Sequence, residues 1–184
     1  MSSFISADFI IPEHFICQSF QLKPLSPLFA AEDFIAIKLS EKEIKYVFGR
    51  AHEWPTCDLS FDDNYNDLVR HEKEFNERIS FAYAILSPDD GHYLGCLYIM
   101  PIKSIEENDL RKTFFNAQAF FWINTSYNKN NLEQNIFTEI ETWLKEIWPF
   151  QKVAFPGRTV AWEIWEQLEK GSRIQKITEN VLQS

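Results

Sequence analysis

The stretch QAFFWINTSYNKNNLEQNIFTEIETWLKEIWPFQKVAFPGRTVAWEIWEQLEK, from Gln118 to Lys170, decides the fold of this chain. Its opening, AFFWIN (Ala119 to Asn124), is apolar, aromatic and too short for a helix, which predicts a buried strand. A polar loop, TSYNKNN, follows it. Leu132, Ile136, Phe137, Ile140, Trp143, Leu144 and Ile147 then recur at helical spacing, so one stripe of a helix faces a core, and Pro149 marks its end. KVAF reads as a second short strand and PGR as a turn. Ala161, Ile164, Trp165 and Leu168 form the stripe of another helix, which Gly171 is placed to stop. Two strands alternating with two helices predict a parallel or locally splayed strand pair with crossover helices.

Working back toward the amino end, SFAYAIL and HYLGCLYIMP are apolar runs joined by Pro88, Asp89, Asp90 and Gly91, the composition of a hairpin turn. Ser60, with Asp63 three residues on, starts a helix whose apolar line is read as Tyr65, Leu68, Phe75 and Ile79. RAHEWPTCD is a loop. AAEDFIAIKLS has helical spacing, and SEKE from Ser40 is a capping box for a separate short helix ending at Gly49. FICQSFQLKPL reads as a first strand closed by Pro24 and Pro27. IKSIEENDLRKTFFN is a surface connection with a helical turn or more. No internal repeat or low-complexity tract interrupts the chain, which is expected to be a single domain over residues 1–184.

In this order of elements the chain resembles the GCN5-related N-acetyltransferase (GNAT) family. That family's core has a strand, a pyrophosphate loop of pattern Q/RxxGxG/A, a helix, a second strand and a helix patterned NxxAxxLY. Here Arg158 stands at the Asn of the closing pattern, Ala161, Ile164 and Leu168 fall at its apolar steps, and Trp165 takes the frequent tyrosine position. The resemblance runs from about Phe15 to Thr178. It implies an α/β acyl-CoA N-acyltransferase fold, a mixed central sheet flanked by helices, and acetyl-CoA as co-substrate. It further implies that the strand near Trp122, Ile123 and Asn124 holds the pantetheine arm and that the following loop takes the diphosphate, with Arg158 and Trp165 beside the cofactor.

Aligned on that helix, the loop pattern falls on Asn128, Lys129, Asn130, Asn131, Leu132 and Glu133. The family's small residues become Asn131 and Glu133, and the loop has no glycine. Glycine lets successive backbone N–H groups close on a phosphate at the positive end of a helix. Bulkier side chains obstruct that approach, and a carboxylate at Glu133 repels phosphate oxygens. A plain capped helix explains the same residues, with Asn131 as N-cap and Gln134 reciprocating. Lys129 and the helix terminus still offer an anion a site, and Asn tolerates left-handed backbone.

Glu72 lies on the line assigned to Leu68, Phe75 and Ile79, so spacing turns a carboxylate toward the apolar side, where burial raises its pKa. The helices before the hairpin border the acceptor site in the resembled fold, which makes Glu72 a candidate general base; the alternative is an ion pair with Arg50 or Arg78. His71 points about 100° away and is expected to be solvated. Indole cannot donate a proton as the family's tyrosine does, so Tyr98 or Tyr83 is the candidate acid toward the departing thiolate. Trp54 either anchors its loop on a core or walls the acceptor pocket.

Composition narrows the function classes. The chain has 184 residues, 45% of them hydrophobic, with 17 Phe and 6 Trp, enough for a thick aromatic core or an aromatic-lined pocket. Its formal net charge of −9, with no basic run, argues against nucleic acid and favours a cationic acceptor, an amine of a small molecule or peptide. Three dispersed cysteines without CxxC suggest a reducing compartment. His71 and Glu72 begin an HExxH spacing that Phe75 breaks, so no metal is implied. MSSFISADFIIPEHF lacks a basic n-region, and no segment reaches membrane-spanning length, which predicts a cytoplasmic protein. Acetyl transfer from acetyl-CoA to an amine is the leading expectation. A catalytically inactive binding or regulatory module of the same fold competes with it, and a carrier with an aromatic cavity is a third reading.

Overall fold

The computed structural model describes residues 4–127 and 131–171. Six strands form one sheet in chain order: β1 (Phe15–Ile16), β2 (Gln21–Pro24), β3 (Phe81–Leu86), β4 (Tyr93–Met100), β5 (Ala117–Ile123) and β6 (Val153–Ala154). Neighbours pair antiparallel except β5 and β6, which are parallel. The helices are α1 (Ala30–Ile44), α2 (Phe61–Asn76), α3 (Arg111–Phe114), α4 (Leu132–Ile147) and α5 (Trp162–Glu169), with a 3-10 turn at Pro27–Phe29 leading into α1. The fold is α/β, with a mixed sheet flanked by helices.

The central strands are buried on both faces, so they read as unbroken apolar runs. Alternation still assigns each side chain to a face. Phe81, Tyr83, Ile85, Leu97, Ile99, Phe121 and Ile123 pack with the α4 stripe Ile136, Ile140, Trp143 and Leu144 and with Trp148. Ala82, Ala84, Cys96, Tyr98, Phe120 and Trp122 face α1 and α2, meeting Ala36, Ile37, Ile44 and Leu68. A smaller cluster joins α5 to α3 through Trp165, Leu168, Phe115 and Val160.

Three local expectations change. The first strand is two short strands, with Cys17 N–H donating to Phe20 O at 3.0 Å across the turn between them. Ser40 caps nothing: α1 runs through it to Ile44, and its buried hydroxyl accepts from Thr125 N–H at 3.0 Å, tying α1 to the end of β5. The capping box at Ser60 is present, with both reciprocal bonds to Asp63 formed. On α2 the buried line is Asn64, Leu68, His71 and Phe75, whereas Tyr65 and Ile79 are exposed.

The feature that positions the site is the short β5/β6 ladder. Pairing covers only Ala117↔Val153 and Gln118↔Ala154, after which β5 continues to Ile123 and β6 ends. Beyond that point the two strands diverge, and a crevice opens between them.

Candidate functional site

The crevice has a volume of about 450 Å³ and is walled by Phe121, Trp122, Ile123 and Thr125 of β5 and its continuation, by Pro156 to Arg158, by Glu133 at the start of α4, and by the end of α1. Along this edge the β5 backbone has lost its partner strand. The Phe121 carbonyl accepts instead from Arg158 Nη2 at 3.4 Å, and strand alternation turns the polar groups of Ile123 to the same side. Asn124 is turned the other way, its N–H donating to Leu94 O at 2.7 Å.

Glu133 and Arg158 meet across the mouth of the crevice. Arg158 Nη2 lies 2.5 Å from Glu133 Oε1, and its guanidinium lies 3.9 Å from the centre of the Phe121 ring. Asn131 stands at the N-cap position of α4 in left-handed geometry (φ 60°, ψ 26°) and its side chain makes no cap bond. The reciprocal Asn131–Gln134 cap is therefore absent: in this backbone geometry the side chain does not accept from the first turn. Leu132, half-buried, packs against the core on the α4 face. Asn128, Lys129 and Asn130 lie outside the described residues.

A larger cavity, about 640 Å³, opens on the α1/α2 face. The loop after α1 supplies Phe48, Gly49 and Trp54; α2 supplies Asp63, Asp67, Arg70 and His71; β4 supplies Tyr98 and Met100; β5 supplies Gln118 and Phe120; α5 supplies Trp162, Trp165, Glu166 and Glu169. Trp54 is both anchor and wall, packing on Phe48 at 5.3 Å between ring centres while lining the space. On the far side Arg111 is buried between Asp109 and Glu169, at 2.8 and 2.7 Å, fixing α5 against the loop before α3.

Of the neighbours His71 and Glu72, it is His71 that α2 brings to this cavity, together with Asp63, Asp67 and Arg70. Its ring is buried, with Nε2 3.2 Å from Asp67 Oδ2 and 3.1 Å from Arg70 Nη2. Nδ1 is enclosed and meets no hydrogen-bond partner among the described residues. Glu72 is exposed on the opposite side, because the true apolar line passes one residue before it. Neither alternative partner reaches Glu72 in the hydrogen bonds seen: Arg50 pairs with Glu163, and Arg78 donates to Ser6 O and Phe9 O.

Tyr98 stands on the cavity wall as expected, its ring 5.3 Å from that of His71 and its hydroxyl accepting from Trp122 Nε1 at 3.4 Å. Burial holds its phenol well above the ordinary range, so it keeps its proton. Tyr83 packs in the opposite core, donating to Pro12 O. Trp165 also lies elsewhere than expected: it is buried against Phe115 and Arg111, bordering the larger cavity and not the crevice. The indole at the crevice is Trp162, one turn earlier on α5.

No family model matches the sequence, and no curated protein matches it either. Solved structures do match in fold. The ribosomal-protein-S5-alanine acetyltransferase of Vibrio fischeri superposes with a TM-score of 0.50 at 7% identity, covering 72% of this chain and 67% of that one. The RimL ribosomal L7/L12 α-N-protein acetyltransferase in complex with coenzyme A gives 0.52 at 11%, covering 71% and 66%. The microcin C7 self-immunity acetyltransferase MccE, with acetyl-CoA and AMP, gives 0.50 at 11%, covering 74% and 70%. This chain has the GNAT acetyltransferase fold. The match spans about two thirds of the length of these structures, 66 to 70% of each.

Among the described residues no cluster of His, Cys, Asp or Glu could hold a metal ion, and no helix is long and apolar enough to cross a membrane.

Proposed function

We propose that the protein transfers an acetyl group from acetyl-CoA to an amine of a small molecule or peptide, as a cytoplasmic N-acetyltransferase. The observation that carries this reading is the divergence of β5 and β6, which leaves a crevice with unpaired strand backbone on one side and a separate cavity on the other, the two meeting at Trp162. The backbone of Phe121 and Ile123 offers the pantetheine arm the hydrogen bonds that a partner strand would otherwise make. Arg158 and the amino end of α4 are the groups present for the diphosphate, and Glu133 is the anion that must yield Arg158 to it.

The acceptor enters the larger cavity, whose lining is of mixed charge, with Asp63, Asp67, Glu166 and Glu169 beside Arg50, Arg70, Lys103 and Arg111. The ammonium gives a proton to His71 Nε2, and Asp67 Oδ2 at 3.2 Å holds the resulting imidazolium. The amine nitrogen then forms its bond to the acetyl carbonyl carbon as the carbon–sulfur bond breaks. The thiolate takes the proton that the nitrogen sheds, relayed through the Tyr98 hydroxyl, which ends the step protonated as its burial requires. His71 replaces Glu72 as the proposed base because it is the one that faces the reacting side.

A thiol-release assay with acetyl-CoA and a panel of primary amines and peptide termini tests the reading. Acetylated product with at least one amine, lost in His71→Gln, is the expected result. Binding of CoA without transfer to any amine would favour the binding-module reading.

A further inference from the structure

Among the described residues the crevice and the acceptor cavity have one lining residue in common, Trp162. Its indole stacks on Phe120, with 6.2 Å between ring centres and 11° between planes. The segments that close on it do so at glycines. A Cβ at Gly157 would lie 2.4 Å from the indole nitrogen, and one at Gly49 would lie 3.3 Å from the far edge of the ring. Both glycines also have positive φ, 79° and 112°, so the turn after β6 and the loop after α1 are shaped to admit an indole and nothing more. An aromatic side chain has only two side-chain torsions, and the stacked ring and the two close backbones limit the positions this one can take.

Resting on the proposed acetyl transfer, we propose that Trp162 sets the length of the acyl group, restricting the donor to acetyl-CoA and its nearest short homologue. The thioester carbonyl must be reached from the acceptor cavity while the pantetheine arm stays in the crevice, so the acyl chain lies where the two spaces meet. Among the described residues the wall shared by both is Trp162. Each methylene beyond acetyl has to displace the indole or run into the space the amine needs. Pocket walls of this kind discriminate one methylene by about tenfold or more.

The test is calorimetric binding of CoA, acetyl-CoA, butyryl-CoA and hexanoyl-CoA to the wild-type chain and to Trp162→Ala and Trp162→Leu, with kcat/KM ratios for the same donors. Wild type is expected to bind CoA and acetyl-CoA and to disfavour hexanoyl-CoA by at least about tenfold in both measurements. In the variants the penalty on hexanoyl-CoA relative to acetyl-CoA is expected to disappear, whatever the change in affinity for CoA itself. Trp162→Leu supplies the comparison if the alanine variant does not fold. An unchanged acyl preference in a variant that still binds CoA overturns the role of Trp162 and leaves acetyl transfer standing. No binding of any CoA species to the wild type overturns both.

Discussion

At the residue scale, His71 sits between the Asp67 carboxylate and the Tyr98 ring, on the only face of α2 that reaches the acceptor cavity. His71→Gln keeps the packing but removes the proton acceptor, and kcat should fall about 100-fold or more with the affinity for acetyl-CoA unchanged. A loss of affinity in step with rate would make His71 structural. Asp33 gives a second residue-scale prediction. It is buried under α2, accepts from Tyr93 OH at 2.5 Å, and burial pushes its carboxyl up to about 6 from the ordinary 3.8. With the folded pKa above the unfolded one, the folded state holds a proton that the unfolded chain has lost. The contribution is complete below about pH 4 and disappears as pH rises to about 6. The unfolding free energy of wild type minus that of Asp33→Asn should fall by about 3 kcal/mol across this window in urea titrations. A difference that stays flat with pH would mean that Asp33 is ionised in the fold throughout.

The base was one residue out of reach of the sequence, for a physical reason. Leu68 and Phe75 fit either a line through His71 or one through Glu72, and only the exposure of Tyr65 and Ile79 decides between them. Asn64, a polar residue buried at 3% exposure, is the marker of the true line, and hydrophobicity alone passes over it. Trp162 was missed because it falls just after Ala161, between the fixed positions of the resembled motif that Arg158 opens, and carries no pattern of its own.

At the scale of elements, boundaries follow local chemistry where side chains close bonds within a few residues. The Ser60–Asp63 box starts α2 as its spacing predicts, and Ser60→Ala should cost about 1 kcal/mol in chemical denaturation. Ser40 carries the same kind of spacing yet lies mid-helix, where its hydroxyl accepts from Thr125 just past the end of β5, a partner no local window contains. At α4 the glycine-free loop resolves into a left-handed Asn131 and a Glu133 held by Arg158. Glu133→Gln should tighten acetyl-CoA binding by up to about fivefold, the worth of releasing one partly exposed ion pair, and Arg158→Gln should weaken it. If neither change moves the dissociation constant, the diphosphate does not dock at this helix end.

At the scale of the whole molecule, the β3/β4 hairpin and the burial of β5 were legible because these strands are long apolar runs and turn residues join the first two. The divergence of β5 from β6 was foreseen only as an option. It goes with the shortness of β6, two residues followed by Phe155 and Pro156, and Trp162 lines the space that opens beyond it. What the molecule gains from that unfinished ladder is an edge of free backbone inside a folded sheet, next to a cavity of mixed charge and aromatic walls.

The measurement that bears most directly on this account is thermal unfolding with and without acetyl-CoA. A ligand seated between β5 and β6, present at a hundred times its dissociation constant, should add about 2.7 kcal/mol to the stability of the fold. An unfolding midpoint that does not move at millimolar acetyl-CoA would contradict it.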